Sequence, residues 1–226
     1  MQPTLEKLLQ QRALWRCSRD SLDGQTAASL STGYTALDQA LPHAGWPRDT
    51  LIEVLSDTVG VGELRLLMPA LAALLAERDG YIVWVGSPYQ AYAPALLQWG
   101  IDVERVLLVE ASTASDVVWA CGEALSSGSA VAVLGWVGSL DITATRRLKL
   151  AAADSHSLAV LLRPLAARAQ SSAASLRLAM VPGSGGTGVD IFKVSGGRPQ
   201  RIPAFESLSP FWPALTKPPN AAASPD

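Results

Sequence analysis

Five short apolar runs alternate with stretches of helical length between residues 51 and 162, and few folds accept that order. The runs are 51–55, 81–85, 106–109, 130–136 and 157–162, rich in Val, Ile, Leu, Trp and Tyr. The intervening segments, 63–76, 92–100, 112–126 and 143–154, carry helical apolar spacing and end at breakers such as the Arg-Asp-Gly of 78–80 and Gly100. Runs of continuous hydrophobicity separated by helices indicate strands buried on both faces, hence a largely parallel sheet with helices above and below. The pattern then changes. Residues 176–181 and 189–194 read as strands joined by the glycine-rich PGSGGTG, an antiparallel hairpin that finishes the sheet.

A chain of 226 residues suits one domain with extensions. Hydrophobic residues make up 49% and charged residues 17%, enough for a sizeable core and too apolar for a disordered chain. The formal net charge of −2 gives no global attraction to nucleic acid, so any DNA contact needs a local basic patch. The two cysteines, Cys17 and Cys121, have neither disulfide-framework nor zinc spacing and read as reduced thiols of a cytoplasmic protein. No secretion signal opens the chain, and no apolar run is long enough to span a bilayer.

Residues 1–30 are expected to form an amphipathic helix, with Leu5, Leu8, Leu9 and Leu14 at helical spacing and Trp15 near its end, followed by a polar linker. Residues 31–199 form the α/β domain. Residues 200–226, rich in Pro, Ala and Ser, are expected to lack fixed structure. Ser112 is the expected N-cap of the helix that runs to Ser126.

The stretch EVLSDTVGVGELRLLM at 53–68 raises the question of a phosphate site. It reads strand, turn and helix, with Gly60 and Gly62 in the turn, and Thr58 beside them. A working phosphate loop offers backbone N–H groups, a lysine for the β/γ oxygens and a Ser/Thr hydroxyl for magnesium. Here Glu63 and Leu64 stand in the lysine and hydroxyl positions. One charge pair at close range is worth about 4 kcal/mol at an effective dielectric of about 20, so lysine replaced by glutamate swings affinity by several powers of ten. Glu63 suits a helix start, where the macrodipole favours an acid.

Other groups are weighed the same way. Arg146, Arg147 and Lys149 lie on one helix, with Arg163 and Arg168 nearby; they read first as a solvated face and second as contacts for DNA phosphate or an acidic partner. His43 and His156 are isolated, and no serine sits in a nucleophile elbow. Among the seven tryptophans, Trp84, Trp119 and Trp136 are expected in the core, and Trp15, Trp46, Trp99 and Trp212 as exposed anchors.

The segment 31–55 resembles the entry to a RecA-type core: Ser31, Thr32, Gly33, Leu37, Asp38, Gly45, Pro47 and then the strand. A closer resemblance is to the ImuA family, a RecA-like branch that also includes relatives of the cell-division inhibitor SulA. It rests on LWR at 14–16, STGYTALD at 31–38, GWPRDTLIEVL at 45–55, GELRLLMPAL at 62–71, YAPAL at 92–96, LRP at 162–164 and VDIFKVSGGRP at 189–199.

The resemblance implies a RecA-like fold and a role in the SOS response, as an accessory of error-prone translesion synthesis. The partners would be an ImuB-type Y-family-like protein, indirectly a replicative-type polymerase, and RecA itself. It also implies what is missing. The Walker-B strand 130–136 ends without an acid, no carboxylate occurs between Asp79 and Asp102 where the catalytic glutamate belongs, and Arg163-Pro164 replaces the nucleotide-sensing glutamine. No catalysis, cofactor or metal is therefore expected. RecA's first DNA loop is reduced to GSLDIT, and its second would be PLAARAQSSA, without an aromatic for stacking. By the same resemblance the third strand, Val106, Leu107, Leu108 and Val109, is a sheet edge that receives a partner segment, flanked by Tyr92, Leu96, Trp99 and Val117. The N-terminal helix, through Leu5, Leu8, Leu9 and Trp15, would contact another subunit. The competing readings are a SulA-like inhibitor that binds FtsZ and an ATP-binding protein with a divergent pocket.

Overall fold

The computed structural model describes residues 29–58, 60–183 and 186–203. The expectations for Leu5, Leu8, Leu9, Leu14, Trp15, Cys17 and Trp212 fall outside the described residues. The elements in chain order are β1 (Ser29–Leu30), α1 (Thr35–Ala40), β2 (Trp46–Pro47), β3 (Leu51–Ser56), α2 (Glu63–Glu77), β4 (Tyr81–Val85), α3 (Ala93–Gln98), β5 (Val106–Val109), α4 (Ala114–Ser126), β6 (Ala130–Trp136), α5 (Ile142–Asp154), β7 (Leu158–Pro164), β8 (Leu176–Gly183), β9 (Gly186–Val194) and β10 (Gln200–Ile202).

The main sheet has eight strands in the order β10-β9-β8-β3-β7-β6-β4-β5. From β8 to β5 all neighbours are parallel, whereas β8–β9 and β9–β10 are antiparallel. The hairpin thus joins the parallel sheet through β8, as the change of pattern after residue 162 implied. Strand β10 pairs with β9, so the folded domain continues past residue 199. Its Ile202 is buried against the core, which is why the chain stays on the sheet there.

The two faces bury different layers. Ile52, Val54, Ile82, Trp84, Leu134 and Val160 face α2 and form the larger core with Leu67, Leu71 and Leu74. Leu51, Val83, Val85, Val133 and Leu161 face α4 and α5, where Val117, Cys121, Leu125 and Leu148 meet them. Helix α4 starts at a reciprocal capping box between Thr113 and Asp116, so Thr113 rather than Ser112 is its N-cap. Among the described residues no helix is long and apolar enough to cross a membrane.

The STGYTALD segment forms a brace for α2. Asp38 accepts from the Ser31 hydroxyl and the Thr32 N–H, both at 2.8 Å, which folds the turn on itself. Gly33, at φ +78°, lies so close to Pro69 that a Cβ there would sit 2.5 Å from the proline Cβ. Pro69 lies inside α2 and has no N–H for the Arg65 carbonyl one turn back. The buried Tyr34 hydroxyl donates to that carbonyl at 2.8 Å. Burial pushes the Tyr34 phenol above its usual pKa, with Arg65 opposing. The motif therefore supplies the hydrogen bond that proline removes. Tyr34→Phe is expected to cost about 1 kcal/mol by removing the only described donor to a part-buried carbonyl. Urea denaturation of the variant measures this.

Candidate functional site

The strand–turn–helix that suggested a phosphate site is present, from β3 through residues 57–62 into α2. Gly60 and Gly62 take positive φ, +87° and +108°. Glu63 begins the helix and is only 3% exposed. Its Oε1 accepts from the Gly60 N–H at 2.7 Å, so an amide of the turn is already bound to an internal anion. Its Oε2 is buried with no hydrogen-bond partner among the described residues. Leu64 is half-buried against the core, and Thr58 is exposed. A crevice of about 270 Å³ opens over the C-terminal ends of β3, β6 and β7, lined by Ser56, Asp57, Thr58, Glu63, Trp136 and Arg163 among others. An incoming phosphate would find two carboxylates in this lining, Asp57 exposed and Glu63 buried.

Arg163 does not offer its charge to that crevice. Its side chain is 0% exposed and pairs with the equally buried Glu53 at 3.0 Å. The remaining guanidinium N–H groups go to the Gly138 carbonyl and to Gln170 Oε1. Glu53 also receives Arg177 at 2.7 Å and the Ser172 hydroxyl at 2.5 Å. Arg177 in turn donates to the carbonyls of Gln170 and Ala167, and Lys193 Nζ donates to the Ser172 carbonyl at 2.6 Å. Burial, then the Arg177 charge, lowers the Lys193 pKa. Residues 165–172 are thereby fastened to the sheet and do not form a free loop. Arg163 is thus corrected from a candidate DNA contact to a core ion-pair partner, because the sheet brings β3, β7 and β8 side by side.

The other basic candidates do not form one patch. Arg146 and Arg147 are exposed on α5, and Lys149 is half-buried. Arg168 is occupied by Asp190 at 2.6 Å and lies over the Phe192 ring, 4.5 Å from its centroid. His156 meets Asp49 at 3.1 Å. Burial pushes the Cys121 thiol up to about 12, which keeps it unreactive. Among the described residues no group of three or more His, Cys, Asp or Glu side chains could hold a metal ion.

Among the described residues strand β5 lies at one edge of the sheet and pairs only with β4. Leu107, Leu108 and Val109 are 44%, 53% and 37% exposed, while Val106 packs against the core. A groove of about 650 Å³ runs between α2 and residues 87–99, with Met68, Trp84, Leu96, Trp99 and Trp136 in its walls. A second hollow of about 560 Å³ connects residues 86–91 to the end of β5. Tyr89 and Tyr92 stand exposed over this surface.

Two predicted contact residues need correction. Val117 is buried in the α4 core, where it touches the backbone level of Gly86 and Gly135, and cannot meet a partner. Leu96 is nearly fully buried and stands in the wall of the groove, not on an exposed flank of β5. The tryptophan expectations change as well. Trp46 is 0% exposed in β2, paired with Leu30 of β1, and Trp119 is 67% exposed on α4, lining a cleft with Leu150 of α5. The sequence reading missed the Glu53 cluster and the Trp119–Leu150 face.

No family model matches the chain. It is 30% identical over 146 residues to the protein ImuA of Caulobacter vibrioides strain NA1000 / CB15N, covering 62% of this chain and 60% of that protein. The ImuA of a second C. vibrioides strain, ATCC 19089, matches to the same extent. The cell division inhibitor SulA of Edwardsiella piscicida is 30% identical over 101 residues, 45% of this chain and 60% of that one. The crystal structure of SulA from Pseudomonas aeruginosa matches with 27% identity and a TM-score of 0.42, over 50% of this chain and 97% of that chain. The chain thus spans 60% of the length of the curated relatives it matches. These matches support an ImuA/SulA-type family for this chain.

Breaking the Glu53 cluster is expected to cost far more than breaking a surface pair. Glu53→Ala leaves two buried guanidinium groups uncompensated and should lose about 3–5 kcal/mol. Arg48→Ala, which removes the exposed pair to Glu77 at 2.6 Å, should lose about 1 kcal/mol or less. Equilibrium denaturation of the two variants side by side reads the difference.

Proposed function

We propose that the chain is a RecA-like, non-catalytic accessory protein of SOS-induced translesion synthesis that works by holding a protein partner. The similarity to ImuA proteins supports the SOS and translesion setting. The degenerate ATP-binding elements support the absence of catalysis: Glu63 closes the turn, and β6 ends in Trp136 rather than an acid.

The observation that carries the reading is the apolar, exposed edge strand Val106–Val109. Native sheets normally blunt such edges with charge, proline or a covering element. Here no described residue covers Leu107, Leu108 and Val109, and a hollow joins Leu108 and Val109 to residues 86–91 with the exposed Tyr89. This suits addition of an extended segment, with main-chain hydrogen bonds for affinity and the groove for side chains. The proposed partner is an ImuB-type protein, with RecA as a second candidate. The residues assigned to the contact are Leu107, Leu108, Val109, Tyr92 and the outer edge of Trp99.

Leu107→Glu combined with Leu108→Glu is expected to weaken capture of the ImuB-type protein of the same organism by about 2 kcal/mol or more. Arg146→Glu on the opposite helix layer should leave capture unchanged. Circular dichroism must show both variants folded, since Leu107 and Leu108 lie outside the core. Unchanged capture by the folded double variant contradicts the site. The SulA match favours a second reading, a division inhibitor that binds FtsZ. Cell filamentation on expression, with no capture of the ImuB-type protein, would select it.

A further inference from the structure

The cleft between α4 and α5 shares no lining residue with the groove, the hollow at β5 or the crevice. Its volume is about 590 Å³. Trp119 and Leu150 line it while 67% and 58% exposed, a large apolar area for two neighbouring helices to leave open. Gly122 lies one helical turn after Trp119 in the same wall. A Cβ there would meet nothing within 4 Å, so the described chain gives no packing reason for a residue that weakens a helix relative to alanine. Glycine at such a place lets another backbone approach closely. The exposed carboxylates of Glu123 and Asp154 also line the cleft and have no ion-pair partner among the described residues.

We propose that residues 3–16 of the same chain cover this cleft. The place where the described chain begins brings them within reach. Ser29 pairs with Pro47, and the Arg48 guanidinium donates to the Ser29 carbonyl at 3.3 Å. The next residue, Asp49, meets His156, which directly follows the cleft residue Ser155. Residues 17–28, fully extended, span about 40 Å, ample for that separation. The lengths agree as well. The helix expected over residues 3–16 would be about 21 Å long, and α4 and α5, at 13 residues each, are about 20 Å. At about 100° per residue, Leu5, Leu8 and Leu9 share one side of that helix with Arg12 and Arg16. With residue 16 at the Ser155 end, the leucines come level with Trp119 and Leu150, and the arginines with Glu123 and Asp154. The charges are complementary: the segment carries Lys7, Arg12 and Arg16 against Glu6, and the cleft Glu123 and Asp154 against Arg147. The segment is thereby seated on its own chain rather than on another subunit, and the inference does not rest on the edge-strand reading.

Cys17 directly follows the segment and allows a test in the full chain. Cys121 is buried, with its thiol pushed up to about 12, and does not compete. Ser126→Cys puts a thiol in the cleft, and Glu77→Cys puts one outside it, beside Arg48 near the chain entry. A short bis-maleimide is added, and the links made by Cys17 are quantified by peptide mass spectrometry. Cys17 should link to position 126 about tenfold or more faster than to position 77. Leu8→Glu with Leu9→Glu, added to each chain, should remove that preference, with circular dichroism showing the domain still folded. Equal linking at the two positions, or a preference that survives the two glutamates, overturns the proposal. Mixing isotope-labelled and unlabelled chains separates the two sources of a link. Links within one chain support the proposal, and links between chains overturn it in favour of a second copy as the occupant.

Discussion

Glu53 sits in the middle of the sheet with an arginine from each neighbouring strand on its carboxylate, and much of the molecule is arranged around that contact. Arg163 comes from β7 and Arg177 from β8, both within 3.0 Å of Glu53. Buried ions persist only when their remaining donors and acceptors are also satisfied. That demand draws in Gly138, Ala167, Gln170 and Ser172, which fixes the segment after β7 and the entry to the C-terminal hairpin. The ion cluster therefore joins the parallel half of the sheet to the antiparallel half. It also removes from the surface the arginine that a nucleotide- or DNA-binding reading would have used.

A second carboxylate governs the crevice beside it. Glu63 closes the turn after β3 through the Gly60 N–H and keeps its other oxygen buried, with no hydrogen-bond partner among the described residues. Ligands of open α/β sheets gather outside the carboxyl ends of the strands, and the crevice keeps that position. What differs is the sign of its charge. The strand, turn and helix of a phosphate site survive, with a buried acid at the start of the helix. The exposed apolar surface along β5 and the tyrosine-rimmed groove adjoins it, with Pro88 and Trp136 lining both hollows.

Most of the strands and helices were legible because each carries its own period. The runs at 81–85, 106–109 and 130–136 match β4, β5 and β6 end to end, since continuous apolarity with sharp breakers admits no other element. The ion cluster was not legible. Glu53 lies 110 residues from Arg163 and 124 from Arg177, and only the strand order brings them together. Trp119 could have been read correctly. Val117, Cys121 and Leu125 recur every four residues and define the inward side of α4, which leaves position 119 facing outward. Trp46 carries no such period; its burial comes from the β1–β2 pairing, which sets it opposite Leu30 within the larger core, where a Cβ on Gly45 would lie 2.5 Å from the Leu30 carbonyl.

Amide hydrogen exchange on the full chain tests the central claim, that this fold holds a protein where it no longer holds a nucleotide. The chain is compared alone, with ATP and magnesium, and with the ImuB-type protein. The account predicts added protection at 106–111 and 87–92 with the protein partner, and no change at 56–66 with ATP. Protection of 56–66 by ATP, or a bound partner that leaves 106–111 as exchangeable as before, would contradict it.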